Sequence, residues 1–520
     1  MHAYAPTIGQ YDPAASLAAM PTRAKRDRLG DRFLLFLGIV LVGYSLGGKG
    51  FAYWGVKPLF IGEITLAFGM YYLFRKGKAF KILAMKEFIP LLLFMMWGLA
   101  RTIPYYPTYQ FDAIRDAVLW GYGLFAIVVC ALFTARPERI SNILPFFRKF
   151  TWIFLVLAPP LLVLEKIDFP YPNFPGGENP IIMPKGGDIA CHTVGVFAYY
   201  CLFGRRFNPF LPLASIPFII AMCITGRAAM VTFLGGVGIF CIFKPFNLRA
   251  LRIVGVLVLG LILLWATDLT IGDKTNTRNI SWKYIQDAIE SIVTDKEQAD
   301  MSGTKEWRMN WWKDIIYYTL GNGKSTGKFF WAGKGYGCNL AEESGYMNEA
   351  ATGLRSPHNG HLTVLARSGV IGLGLWAMLQ AYFGWLMLKN LLRAKRRKDW
   401  KWAGMFLSLL AYWAAFMANT TFDVFLEGPM GGVWFWSIYG FGIAAEWIFQ
   451  RYPYVLYMEP PKTSKRKKKP TGAPPAWAVP STMPMGAGSY SFPEGSYSAE
   501  PMVPQQPQPA DAPPRTARRR

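Results

Sequence analysis

Long apolar stretches separated by short polar segments fill most of residues 33–449. A helix that crosses the roughly 30 Å hydrocarbon core of a bilayer needs about 20 mostly apolar residues. The pattern therefore predicts an all-α, polytopic membrane protein with about twelve transmembrane helices. We expect these helices at residues 33–48, 56–74, 88–103, 113–134, 150–164, 188–204, 209–225, 228–243, 250–268, 361–388, 403–419 and 431–449. An outer-membrane barrel is excluded, because its strands would show short runs of alternating polarity.

Basic residues are distributed unequally between the polar segments. The polar segments on one side of the predicted bundle hold 26 Lys and Arg residues, whereas the short loops on the other side hold five. The basic side consists of segments 23–32, 75–86, 135–149, 205–206, 244–252 and 389–401. Since Lys and Arg accumulate in short cytoplasmic loops, this bias predicts that both termini are cytoplasmic. It also accounts for much of the net charge of +24, so the basicity requires no nucleic-acid partner.

Five regions follow from this topology. We expect a cytoplasmic N-terminal segment at 1–32, nine helices within 33–268, a periplasmic loop at 269–360, three helices within 361–449 and a cytoplasmic tail at 450–520. The tail is proline-rich and basic, a composition that predicts disorder. Its run Lys465 to Lys469 would either contact anionic membrane lipids or simply remain solvated and reinforce the topology.

Several arginines lie at the predicted outer side of the membrane, where an ionisable residue beside a span indicates a functional site. Arg101 ends the third span. Arg115 opens the fourth span, Arg227 stands in the tight turn between the seventh and eighth, and Arg308 and Arg355 belong to the long loop. A cluster of this kind suits a diphosphate, because each guanidinium group can make two charge-assisted hydrogen bonds to phosphate oxygens.

The aromatic-rich stretch around Arg308 is predicted to be helical, with Trp307 and Trp311 on one face. This density of tryptophan favours a helix that packs on the membrane surface, and stacking on a sugar ring is the alternative. Arg308 would then point towards lipid headgroups or form a structural salt bridge with Asp314 or Glu306.

His358 is a candidate general base. It precedes the turn Asn359-Gly360, and the predicted tenth helix begins directly after that turn. Neighbouring arginines would disfavour the protonated imidazole and leave it able to accept a proton. The alternative is a helix cap or a structural hydrogen-bonding residue.

No motif indicates a metal or a cofactor. The predicted outer segments contain no Asp-x-Asp pair, and the sequence has no phosphate-binding Gly-rich loop, no Gly-x-Ser-x-Gly elbow and no His-Glu-x-x-His. Five of the six cysteines lie in or beside apolar segments, which predicts small buried side chains.

Three motifs resemble the O-antigen ligase-like family of bacterial membrane glycosyltransferases. Ser356-Pro357-His358-Asn359-Gly360-His361-Leu362, running into Gly369-Val370-Ile371-Gly372-Leu373, is similar to the family's Pro-His-Asn-x-x-Leu followed by a Gly-hydrophobic-hydrophobic-Gly helix start. Arg308 to Trp312, followed by Gly333-Lys334-Gly335, is similar to its Arg-x-x-x-Trp segment and Gly-x-Gly turn. Thr225-Gly226-Arg227 is similar to its Ser-x-x-Arg turn. The resemblance covers roughly residues 60–450.

The resemblance implies an enzyme of the bacterial inner membrane. Its donor would be a glycan on undecaprenyl diphosphate, and its acceptor a hydroxyl of lipid A-core or of a growing polysaccharide. His358 would position or deprotonate the acceptor, while Arg227 and Arg308 would hold the diphosphate. Arg115, Arg355, Asn359 and Trp312 would contribute to substrate binding. Direct displacement without metal would invert the anomeric carbon.

Other functions remain open at this point. Within the family, an O-antigen or exopolysaccharide polymerase differs from a ligase by its acceptor, and the motifs do not separate the two. The segment before the sixth span, Gly187 to His192, departs from the Gly-Arg…Asn-Pro-Asn of relatives, which concerns acceptor or glycan recognition. From other classes, a transporter of polysaccharide or lipid-linked sugar and a non-catalytic scaffold are the alternatives. Transporters usually place ionisable residues near the midplane, whereas here they lie at the outer edge.

Overall fold

The computed structural model describes residues 27–56, 59–166, 169–173, 180–203, 227–244, 248–268, 282–283, 286, 299–347 and 354–457. The predicted span at 209–225, most of 269–298 and the tail from residue 458 lie outside the described residues. All described residues belong to one unit by their contacts.

Helices dominate the structure, which is 82% helical and 2% strand. In chain order the α-helices are α1 Arg28–Ala52, α2 Ile61–Arg75, α3 Ala79–Leu83, α4 Ile89–Thr102, α5 Tyr106–Tyr109, α6 Phe111–Gly121, α7 Gly123–Ala135, α8 Ile143–Lys166, α9 Gly186–Phe203, α10 Arg227–Phe243, α11 Leu248–Thr267, α12 Ala299–Leu320, α13 Leu340–Glu343, α14 Gly360–Arg396, α15 Trp400–Phe422 and α16 Pro429–Arg451. Two short strands, Gly55–Val56 and Leu59–Phe60, pair antiparallel with Gly55 opposite Phe60.

Six helical segments of the described residues are long and apolar enough to cross a membrane. They are Arg28–Ala52, Lys86–Tyr109, Pro137–Leu164, Ala250–Thr267, Gly360–Arg396 and Trp400–Phe422. This confirms the all-α class, and six apolar helices of this length suggest a membrane protein. The count of twelve spans and the long periplasmic loop are not confirmed. Helix α2 has only 15 residues, and the apolar helix Ala228–Phe243 is also below the length of a full span.

One predicted span is two helices. Residues 113–134 were expected as a single helix, but α6 and α7 meet at a bend of 43°. If this bent pair crosses the membrane as one broken span, the described residues contain up to seven spans. The bend matters for the site, because α6 carries Arg115 and two carboxylates away from the axis of α7.

The core lies where α14, α15 and α16 pack together and against α7 and α9. Gly440 of α16 allows the closest approach to α7, since a Cβ atom there would lie 2.1 Å from the Ala126 carbonyl oxygen. Around this contact, large aromatic side chains such as Trp436 and Tyr439 are fully buried. Because such rings fill the interior at high density, they fix the axial positions of the helices and hence of the loops at their ends.

Helix α14 is broken at Gly369, which has φ +65° and ψ −167°. The segment before α13 fills the break: Lys334 donates its backbone N–H to the Ala366 carbonyl (2.7 Å), and the Val370 N–H donates to the Phe330 carbonyl (2.8 Å). These bonds satisfy backbone groups that the break would otherwise orphan. They also fix the loop that precedes His358 against the first turns of α14.

The tryptophan-bearing helix α12 confirms the predicted helix, but its orientation differs from our expectation. Trp311 and Ile315 are fully buried, in a small core with Leu340 and Leu365. Trp311 stacks on Tyr346 at a centroid distance of 5.1 Å. The face that we expected on the membrane surface therefore packs inside the protein, because the loop after α12 folds back and covers it.

Candidate functional site

His358 lies in the turn that leads into α14, and its backbone is held in an unusual conformation. Its φ is +51°, a left-handed value that is uncommon outside glycine. The neighbours on each side fix it: Trp312 donates its indole N–H to the Pro357 carbonyl oxygen (2.7 Å), and the Asn359 side chain accepts from the Leu362 N–H (3.0 Å). Strained backbone held by its surroundings is typical of functional sites.

A carboxylate faces the imidazole. Asp423 follows α15 directly, and its Oδ1 lies 3.6 Å from His358 Nδ1 while its Oδ2 lies 3.3 Å from Lys185 Nζ. The His358 side chain is 30% exposed and that of Asp423 19%. The carboxylate therefore bridges a histidine and a lysine at the surface end of three helices, with the imidazole still accessible from outside.

The electrostatics of this pair follow from its partners. Burial alone would raise the pKa of Asp423, but the Lys185 ammonium group and the His358 hydrogen bond hold that pKa well below its usual value. Burial would likewise lower the pKa of Lys185, yet Asp423 and Asp188 raise it above its ordinary value. Asp423 thus remains ionised and Lys185 charged at neutral pH.

Two further cations lie near this carboxylate. Arg308 of α12 points its Nη1 at the Phe422 carbonyl oxygen (3.5 Å), one residue before Asp423. Lys49, near the end of α1, is close enough to Lys185 and Asp423 for both to act on its charge. We call Lys49, Lys185, Arg308, His358 and Asp423 the His358 cluster.

Helix termini add to the positive potential of the cluster. Lys185 immediately precedes α9, and His358 and Asn359 immediately precede α14, so both helices begin beside Asp423. The N-terminus of a helix carries a partial positive charge and favours anions. Lysine, arginine and two helix starts around one half-buried carboxylate therefore make a site suited to an anionic ligand.

Arg115 and Arg355 belong to a different group of charges. Arg355 donates to Asp112 (3.3 Å) and to Asp116 (3.1 Å), while Arg115 lies 3.4 Å from Asp112 and 3.7 Å from Asp116. Arg367 of α14 completes the group at 3.0 Å from Asp116. We call these five residues the Asp116 cluster. Its arginines are engaged with carboxylates, and the substrate-binding role of Arg115 and Arg355 stays a prediction.

Asp116 is the centre of that cluster. Its Oδ2 accepts from the Gly337 N–H (3.0 Å) and from Arg355 (3.1 Å), and it forms an ion pair with Arg367 at 3.0 Å. It thereby ties α6 to the turn before α13, to the segment before His358 and to α14. Near Arg367 lies Glu427, whose burial raises its pKa while the guanidinium group opposes that rise. The buried Arg367, 1% exposed, is therefore held from two sides.

The predicted site residues therefore lie in different places in the structure. His358, Arg308 and Trp312 come together, the last through its hydrogen bond beside His358. Asn359 is 5% exposed and caps α14, so it positions the histidine. Arg227 begins α10, but its side chain lies outside the part of the chain that the structure describes.

Sequence reasoning missed several residues that the structure brings to these clusters. Arg367 is a charged residue inside an apolar helix, which is itself a signal of function or of a buried ion pair. Lys49 and Lys185 belong to the few basic residues of the predicted outer loops, where charge bias disfavours them. No local sequence motif pointed to Asp423. Only the packing of α14 against α15 places it beside His358.

The described residues contain no group of three or more His, Cys, Asp or Glu side chains placed to hold a metal ion. Comparison with protein-family models and with curated proteins finds no match for this chain. The function is therefore inferred from the contacts, distances and charges of the two clusters.

Proposed function

We propose that this protein is a metal-independent glycosyltransferase that moves a glycan from undecaprenyl diphosphate to an acceptor hydroxyl. The observation that carries the proposal is the accessible His358, backed by ionised Asp423 and flanked by Arg308 and Lys185. This is an arrangement of a proton acceptor beside an anion site, at the end of a bundle of apolar helices.

The chemistry assigns a role to each group. Asp423, 3.6 Å from His358 Nδ1, orients the imidazole, which leaves Nε2 to take the proton of the acceptor hydroxyl. The hydroxyl oxygen attacks the anomeric carbon, and the bond from that carbon to the diphosphate oxygen breaks with its electron pair on the diphosphate. Arg308, together with Arg227, stabilises the charge that develops there. The anomeric configuration inverts, and the histidine then releases its proton to solvent.

The topology proposed with this function is the one expected from the sequence. Twelve spans with both termini in the cytoplasm would place the His358 cluster at the outer face of the bacterial inner membrane, with residues 269–360 in the periplasm. A donor whose diphosphate lies at the headgroup level of the outer leaflet would then reach the cluster. The proposed acceptor is lipid A-core, which makes the enzyme a ligase.

Reconstitution tests the reaction itself. Purified protein in proteoliposomes is supplied with an undecaprenyl-diphosphate-linked glycan and lipid A-core, with and without chelator. We expect a new glycosidic bond of inverted configuration, release of undecaprenyl diphosphate, no effect of the chelator and no product with Arg308→Ala. Intact lipid-linked glycan crossing the bilayer without bond formation would instead show a transporter, and loss of transfer on chelation would refute the metal-independent reaction.

Gene deletion separates the ligase from a polymerase. A ligase mutant would retain long polymer on the lipid carrier, whereas a polymerase mutant would accumulate single repeat units. The first result supports lipid A-core as the acceptor, and the second replaces it with another lipid-linked glycan.

A further inference from the structure

The end of α1 is built to approach another part of the chain closely. Gly48 has φ +57° and forms a parallel bridge with Met183. The Lys49 N–H donates to the Met183 carbonyl (3.0 Å), and the Met183 N–H donates to the Gly47 carbonyl (2.9 Å). A Cβ atom at Gly48 would lie 2.5 Å from the Met183 carbonyl oxygen. Glycine is therefore required both for the conformation and for the contact.

This bridge brings two lysines together. Lys49 follows the bridged glycine, and Lys185 lies two residues beyond Met183, with its Nζ 3.3 Å from Asp423 Oδ2. Both lysine side chains are half-buried. The charge of Lys185 acts unfavourably on that of Lys49, and nearby negative charge offsets this repulsion.

The negative charge available to the lysines is limited. Asp423 is shared with His358, and Asp188 is buried beneath Lys185 at 4% exposure, with its Oδ1 accepting from Asn419 (3.4 Å). The accessible groups of this side of the cluster are thus two lysines against one half-buried carboxylate. A bound anion would complete the charge balance.

The type of cation also differs across the His358 cluster. Arg308 offers a planar fork that matches the paired oxygens of a diphosphate, whereas lysines act as compact point charges with freely rotating donors. Lysines suit a single anionic group whose position varies. In addition, Lys185 shares its carboxylate with His358, whereas Arg308 reaches the cluster through the Phe422 carbonyl. The group bound by the lysines therefore belongs beside the hydroxyl that His358 deprotonates.

We infer that Lys49 and Lys185 form an anion subsite for an acidic group, a carboxylate or a phosphate, carried by the acceptor saccharide. The assignment of this anion to the acceptor rests on the proposed glycosyl transfer. The subsite itself is defined by the two lysines and the backbone bridge between their segments. The role is one of substrate binding and specificity, and neither lysine takes part in proton transfer.

Lysine footprinting tests the subsite without requiring turnover. The purified full-length protein is acylated with a lysine-selective reagent, and labelling of each lysine is quantified by mass spectrometry in the presence of inorganic phosphate, glucuronate, chloride at equal ionic strength, or phosphatidylglycerol vesicles. We expect phosphate or glucuronate to protect Lys49 and Lys185 and to leave Lys78 and Lys81, which flank the start of α3, unchanged. Equal protection by chloride, or protection by the vesicles alone, would overturn the inference in favour of screening or of a lipid headgroup.

Kinetics with matched variants test the assignment to the acceptor. In Lys49→Gln/Lys185→Gln, the KM for an acidic acceptor should rise about tenfold or more, the size expected for loss of a charge-assisted hydrogen bond. The donor KM should stay within about twofold, and Lys49→Arg/Lys185→Arg should restore the acceptor KM. A fall in kcat is expected for the Gln variant, because Lys185 also holds Asp423. Lys78→Gln/Lys81→Gln is the control. A rise confined to the donor KM would refute the assignment. If the wild type transfers no glycan, the proposed function fails, and footprinting alone then decides the anion subsite.

Discussion

The His358 cluster and the Asp116 cluster both collect charges near the start of α14, yet they differ in how those charges are satisfied. At the centre of the Asp116 cluster, Arg367 is 1% exposed and Asp116 9%, whereas Arg115 and Asp112 at its edge are 41% and 42% exposed; each guanidinium group faces carboxylates or carbonyl oxygens. In the His358 cluster, the side chains of His358 and Lys185 are about 30% exposed, and one carboxylate serves both. Charges that are buried and paired hold elements together, whereas charges that share too few partners at an accessible surface are available to a ligand.

The two clusters are joined by a short piece of chain. Arg355, anchored to Asp112 and Asp116, lies three residues before His358, and Asn359 caps the helix one residue after it. The Asp116 cluster therefore positions the segment that presents the histidine. Variants that affect stability can therefore be separated from variants that affect the transfer reaction alone.

The largest effect is expected for His358→Ala. Removal of a general base reduces the rate of transfer by about 10²–10⁴-fold, while the thermal midpoint in detergent should stay unchanged because the side chain is 30% exposed. The measurement is the rate of glycan transfer divided by the amount of folded protein. The matched control is His361→Gln, since His361 faces Trp376 Nε1 (3.0 Å) and lies away from Asp423. Wild-type transfer by His358→Ala would remove the histidine from the mechanism.

Asp116→Ala should act on stability first. The substitution leaves Arg367 buried without its carboxylate, and breaking a buried ion pair from one side costs about 3–5 kcal/mol. We expect poor accumulation and a strongly lowered thermal midpoint. Asp423→Asn is the comparison: it should lower transfer severely with a much smaller change in midpoint. If the two variants lost stability equally, the distinction between the clusters would be wrong.

Gly369→Ala should cost about 1–3 kcal/mol, because alanine is strained at φ +65°. Its Cβ would also lie 2.4 Å from the Trp331 carbonyl. Since the loop that fills this break also contacts Arg367, we expect transfer to fall together with the unfolding midpoint. Gly374→Ala, in the same helix with nothing within 4 Å of the added atom, is the control and should be neutral or slightly stabilising. Equal midpoints for the two variants would contradict the role of the break.

Asn359→Ala should lower stability only modestly, by about 1 kcal/mol for a lost N-cap. Transfer should nevertheless fall by more than this midpoint change explains, because the cap fixes the residue next to His358. Asn339→Ala removes the equivalent cap of the short helix α13 and should leave transfer unchanged. Parallel losses in both variants would show that the cap of α14 has no special connection to the histidine.

The helices were predictable from the sequence because long apolar runs favour helices that bury their surface. The expected spans 403–419 and 431–449 fall within α15 and α16, and α15 is long and apolar enough to cross a membrane. The role of the histidine before α14 stays a prediction. The bend between α6 and α7 and the inward orientation of Trp311 were not predicted. Both depend on which surface the following chain covers, and local periodicity carries no such information.

The sequence by itself determined that this is an apolar, helical chain with an uneven distribution of basic residues and a histidine placed where a helix begins. Only the tertiary structure decided which charges meet. It joined Arg115 and Arg355 to Asp112 and Asp116, and it placed Asp423 and two lysines around His358. Hydropathy depends on composition along a segment, whereas an ion pair depends on the separation of two atoms that packing, and not chain order, brings together.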